Sequence, residues 1–91
     1  EGLPQEFELS QNFPNPFNPS TVIKYSVPVE SQVRIRIFDI SGALIAEPVN
    51  FRTAPGNYSL SIDLSGRASG VYICRMEAGG KIMNIKMNLL K

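Results

Sequence analysis

Apolar and polar residues alternate with a period of two along most of this chain, and no window sustains a helical period. The chain is therefore confined to β structure. Gln32 to Ile40 is the clearest case: Val33, Ile35 and Ile37 fall on one face and Arg34 and Arg36 on the other, one face buried and one wet. Tyr58 to Leu64 alternates strictly, with Tyr58, Leu60, Ile62 and Leu64 inward. Ser20 to Val27 puts Ile23, Tyr25 and Val27 on one face and stops at Pro28. In Val71 to Ala78, Tyr72, Cys74 and Met76 share a face. In Lys81 to Leu90, Met83, Ile85, Met87 and Leu89 oppose Asn84, Lys86 and Asn88. Phe7 to Gln11 is a short first strand. Ala43 to Val49 is a weaker one, broken by Pro48 and so placed at an edge. The turns are Asp39-Ile40-Ser41-Gly42, Thr53-Ala54-Pro55-Gly56-Asn57, Ser65 to Gly70 and Gly79-Gly80. The last is the best two-residue hairpin signal and makes the final two strands neighbours. About seven short strands at this spacing predict an antiparallel β-sandwich, with a small barrel as the alternative.

A chain of 91 residues allows one domain, and 43% apolar against 19% charged residues suits a globular chain rather than a disordered one. The net charge of +1 argues against a general nucleic-acid binder. The charge is unevenly placed. Residues 1–30 hold Glu1, Glu6, Glu8 and Glu30 against Lys24, net −3; residues 72–91 hold Arg75, Lys81, Lys86 and Lys91 against Glu77, net +3. Cys74 stands alone, so no internal disulfide staples the domain, and it reads as a core residue. No apolar run approaches the ~20 residues that span a bilayer, and no signal peptide opens the chain. Glu1 to Glu6 reads as the end of a linker and Glu1 as the start of a fragment, with any export signal further upstream in a parent.

Nothing in the composition points to catalysis. There is no histidine, which excludes Ser-His-Asp and Cys-His machinery and histidine metal sites, and one cysteine cannot build a structural zinc site. Asp39 and Asp63 end separate strands and read as turn or capping residues. Gly79-Gly80 and Ser65-Gly66 lack the spacing and following helix of a phosphate loop. No enzyme activity, metal or cofactor is expected. There is no tryptophan for a sugar platform; Tyr25, Tyr58 and Tyr72 look like core, and Phe38 on the polar face is the one ring open to a neighbour or to solvent.

Gln11-Asn12-Phe13-Pro14-Asn15-Pro16-Phe17-Asn18-Pro19 interrupts the alternation. Its three prolines forbid helix and central strand, and Asn15 and Asn18, each before a proline, can bond nearby backbone. A rigid strap pinned by Phe13 and Phe17 is one reading, and a proline-rich linker is the other. This stretch resembles the opening signature of the type IX secretion (Por secretion system) C-terminal sorting domain, type A. Further blocks follow in order: Ser20 to Pro28; Val33 to Gly42 with its Phe38-Asp39-x-x-Gly42 ending; Ala54-Pro55-Gly56 before Tyr58; Ser69-Gly70-Val71-Tyr72; and the terminal Lys86-Met87-Asn88-Leu89-Leu90-Lys91. Ile73-Cys74 departs from the aromatic usual there.

The resemblance implies an immunoglobulin-like β-sandwich over residues 7–91 that serves as a sorting signal for a large exported protein. The parent would pass through the periplasm, and the outer-membrane type IX translocon would recognise the domain. A sortase-like cysteine protease would remove it upstream of the strap, near Glu1 to Glu6, leaving the mature protein on the cell surface or outside the cell. The C-terminal end, Lys86, Met87, Leu89, Leu90 and Lys91, is the part of the family most tied to recognition. The motif positions are Pro14, Asn15, Pro16, Phe17, Asn18, Pro19, Asp39, Gly42, Gly70 and Tyr72. The last strand ends without a following element, so its free edge or its basic end is the surface expected to meet a partner. A carbohydrate-binding or structural immunoglobulin-like accessory module remains the alternative.

Overall fold

The computed structural model describes residues 2–91, so the part of the linker reading that falls on Glu1 lies outside the described residues. Seven antiparallel strands run in the order β1 (Glu8–Leu9), β2 (Ser20–Val27), β3 (Ser31–Asp39), β4 (Leu44–Thr53), β5 (Gly56–Asp63), β6 (Gly70–Ala78) and β7 (Lys81–Leu89). They form a three-stranded sheet, β1-β2-β5, facing a four-stranded sheet, β4-β3-β6-β7. This is an open, immunoglobulin-like sandwich in which β4 pairs with β3 rather than extending the sheet of β5.

Alternation explains the core. Ile23, Tyr25, Val27 and Ile62 point inward from one sheet; Val33, Ile35, Ile37, Cys74, Met76 and Met87 point inward from the other. All are buried, as their phase along the strands requires. Two tyrosines tie corners: Tyr58 Oη donates to Ala54 C=O at 2.6 Å and Tyr72 Oη to Ala68 C=O at 2.6 Å. Both sit at the end of the same five-residue pattern, Ala-x-Gly-x-Tyr. The Tyr72 bond has the form of the tyrosine corner that locks many immunoglobulin-like sandwiches.

The structure corrects three details. β1 is only two residues long, while β4 continues past Pro48 to Thr53. The reason is a bulge: Ile35 pairs with Val49 and Ile37 with Ala46, so Glu47 and Pro48 together oppose Arg36. Proline is tolerated on the edge strand because the bulge has already broken the ladder there. Arg36 is also less wet than its phase suggests. Its side chain is 17% exposed, held by Glu77 at 2.5 Å, and its guanidinium lies 5.3 Å from the Phe38 ring centre. Arg75, directly across from Arg36, lies 5.0 Å from the same ring. Phe38 is thus covered by two guanidinium groups, and Glu77 and the ring offset the repulsion of two cross-strand arginines.

Candidate functional site

The two ends of the chain meet along one side of the sandwich, where β1 of one sheet lies beside β7 of the other. Residues 10–13 first run along β2. Ser10 N–H donates to Lys24 C=O, and Phe13 and Val22 exchange both backbone bonds. The strap then crosses to the other sheet. Phe17 N–H donates to Asn88 C=O and Leu90 N–H to Phe17 C=O, each at 2.9 Å, so Phe17 forms a parallel bridge with Leu89.

Side chains complete the crossing. Gln11 Nε2 donates to Lys86 C=O at 2.6 Å, and Asn15 Oδ1 accepts from Asn88 N–H at 2.9 Å. Asn12 is buried beneath the bend; its Nδ2 donates to Pro14 C=O and to Thr21 Oγ1, and Thr21 Oγ1 donates to Pro14 C=O at 2.8 Å. Beyond the strap, Lys91 N–H donates to Ser69 Oγ at 3.0 Å. From Lys86 to Leu90 the outer edge of β7 is therefore occupied by the chain's own N-terminal segment, and the expectation of a free edge there is overturned. The edge needs this cover, since unpaired strand groups are a template for unwanted pairing.

The expected anchors divide. Phe17 is 2% exposed and sits in the core, whereas Phe13 is 80% exposed and is not an apolar anchor. Phe13 pairs with Val22, whose side chain faces out of the sheet, and bridge partners share a face. Pro14, Asn15, Pro16 and Asn18 are exposed and Pro19 is half-buried. Asn12, which carries none of the Asn-Pro character of Asn15 and Asn18, is the buried hub. The one sign in the sequence was Thr21, a polar residue on the inward face of β2 that needs a hydrogen-bond partner.

At the C-terminal end, Met87 and Leu89 are buried in the core, while the side chains of Lys86, Leu90 and Lys91 are exposed. Among the described residues the ion pairs are Arg34–Glu47, Arg36–Glu77 and Arg52–Glu30; Arg75, Lys81, Lys86 and Lys91 have no carboxylate partner there. Asp39 caps its own turn, with Oδ1 accepting from Ser41 N–H, Ser41 Oγ–H and Ala43 N–H. The Ser41 hydroxyl foremost, with the Ala43 amide, holds its carboxyl below the usual range. Gly42 closes that turn at φ +91°, a conformation a Cβ would strain. Asp63 does the same for Ser65, whose hydroxyl and amide lower its pKa. Gly70 opens β6, and Tyr72, 6% exposed, carries the corner bond. Gly79 has φ +57°, and a Cβ there would collide with the Phe7 ring. Cys74 is fully buried, and burial pushes its thiol up to about 12.

A family model described as a secretion system C-terminal sorting domain matches residues 11–89, from the first residue of the strap to the last of β7. No curated protein and no solved structure matches the chain.

Proposed function

This chain belongs to the family of secretion system C-terminal sorting domains, and from that membership we propose that it is a folded address, recognised by the outer-membrane type IX translocon on behalf of the exported protein that carries it. What carries the reading is that the strap and the C-terminal strand, the first and last blocks of the matched span, form one hydrogen-bonded edge. The domain contributes no chemistry; it presents a surface. Because the strap occupies the backbone of Lys86 to Leu90, a partner reads side chains, namely the cations of Lys86 and Lys91 and the apolar Leu90, which is 62% exposed. Met87 and Leu89 hold the strand against the core. An acidic rim with a small apolar pocket on the translocon would complement this end and steer encounter. The domain passes through the periplasm in transit. The sortase-like cysteine protease then cuts ahead of the strap, within residues 1–6, and leaves the parent at the cell surface or outside the cell.

The test is a periplasm-targeted reporter fused to this domain in a type IX-competent host. Lys86→Glu with Lys91→Glu should leave the melting temperature of the domain within a few degrees and reduce reporter in the medium and surface fractions. Unchanged export would refute recognition by the basic end. Deleting residues 86–91 is a weaker test, because it removes Met87, Leu89 and every strap contact on β7 and so unfolds the edge.

A further inference from the structure

The two sheets have four edges, and three of them are blunted. β1 is two residues long, β4 carries Pro48 and two register shifts, and β7 is covered by the strap over Lys86 to Leu90. The fourth is β5, eight residues in unbroken register with β2, with no proline, lysine or arginine. That is the combination natural edges avoid. Leu64 N–H bonds to Pro19 C=O, and alternation from that pair turns the backbone groups of Gly56, Tyr58, Leu60 and Ile62 toward β2. Those of Asn57, Ser59, Ser61 and Asp63 therefore point away from the sheet and, among the described residues, meet no other strand.

The side chains along this edge are symmetric about Leu60: Asn57-Tyr58-Ser59-Leu60-Ser61-Ile62-Asp63. We propose that β5 pairs antiparallel with β5 of a second copy of this chain, about a two-fold axis at Leu60. In that register each outward backbone group finds a partner: Ser59 pairs with the partner's Ser61, and Asn57 with the partner's Asp63. On the solvent face the two hydroxyls meet. The Asn57 amide meets a carboxylate whose Oδ1 is held by Ser65, leaving Oδ2 free. On the inner face Leu60 meets the partner's Leu60 and Tyr58 the partner's Ile62. Tyr58 and Leu60 are only half-buried in the single chain, so pairing covers apolar surface that the sandwich leaves open. No like charges are opposed, and the two three-stranded sheets become one of six. The proposal stands independently of the sorting role.

The test is sedimentation from micromolar to millimolar protein, with three variants. Ser61→Pro removes an outward N–H and no bond to β2, a position where edge strands accept proline. It should be monomeric throughout with a nearly unchanged melt. Leu60→Cys places two thiols across a non-hydrogen-bonded pair, with Cα atoms about 4.5 Å apart, within disulfide reach. Ser59→Cys lies opposite the partner's Ser61 and roughly 8 Å from its own copy, out of reach. The expected result is a concentration-dependent dimer, lost in Ser61→Pro, with an interchain disulfide in Leu60→Cys and not in Ser59→Cys. The native Cys74 is buried and does not compete. A wild-type monomer at millimolar protein, a dimer that survives Ser61→Pro, or equal crosslinking of the two cysteine variants would overturn it.

Discussion

Phe13 and Phe17 occupy equivalent places in the strap, each beside prolines, yet they should respond in opposite ways to truncation. Phe17 is 2% exposed within the core, and removing a buried phenylalanine ring costs about 3–5 kcal/mol in lost transfer energy and residual cavity. A 91-residue domain has a total stability of roughly 5–14 kcal/mol. Phe17→Ala therefore removes a large share of it. At about 4–8 °C per kcal/mol for a domain of this size, the melting temperature should fall by about 12–40 °C. Phe13 is 80% exposed, and its two bonds to Val22 are backbone bonds that alanine keeps. Phe13→Ala should stay within about 0.5 kcal/mol of the parent, a shift of at most about 4 °C. Thermal melts followed by far-ultraviolet circular dichroism, with urea titrations for the free energies, measure both. Hydrogen exchange adds a local reading, because Leu90 N–H loses its fixed acceptor when the Phe17 segment loosens. If the two variants melt within a few degrees of each other, the division of the strap into one anchor and one exposed ring is wrong.

Ile35→Asp should unfold the domain, because it buries an unpaired carboxylate, whereas Arg34→Asp should leave it folded, because Arg34 lies on the wet face and its pair with Glu47 is solvent-screened; similar melts would refute the strand phase. Gln11→Ala with Asn15→Ala removes two bonds to β7, about 0.5–1.5 kcal/mol each. Exchange should accelerate at Asn88 and be unchanged in β3. Cys74 should resist thiol reagents in the folded state. Its raised pKa means that its stabilising contribution is complete below pH ~9 and is lost as pH rises toward ~12, by up to about 4 kcal/mol. Cys74→Val should flatten that alkaline limb. Asp39 has the opposite sign: its lowered pKa stabilises above the unfolded value near pH ~4 and is lost as pH falls through the folded value. Asp39→Asn should flatten the acid limb of urea midpoints.

Strand phase was legible because period two is a local property; Ile35, Ile37, Cys74, Met76 and Met87 are buried where alternation places them. The Asp39 turn and the Gly79-Gly80 hairpin were legible for the same reason, as was the family, whose blocks are contiguous stretches. The course of the strap was not. Its contacts with β7 join residues 73 and 75 apart, and no local pattern reports a hydrogen bond of that span. Nor does composition tell which phenylalanine turns inward, since that depends on the residue each meets, Val22 of β2 for Phe13 and Leu89 of β7 for Phe17. Asn–Pro pairs drew attention to Asn15 and Asn18, but the buried polar hub is Asn12, fixed by Thr21 across the sheet edge. The strap also explains why an apparently free C-terminal edge is covered.

A domain that acts as a type IX sorting address should suffice to export a passenger. The most direct measurement is the fraction of a periplasm-targeted reporter, fused to residues 1–91, that reaches the surface and medium of a type IX-competent host, against the same host lacking the translocon. The expected result is export in the first and periplasmic retention in the second. Retention in both, or equal export from both, would contradict it.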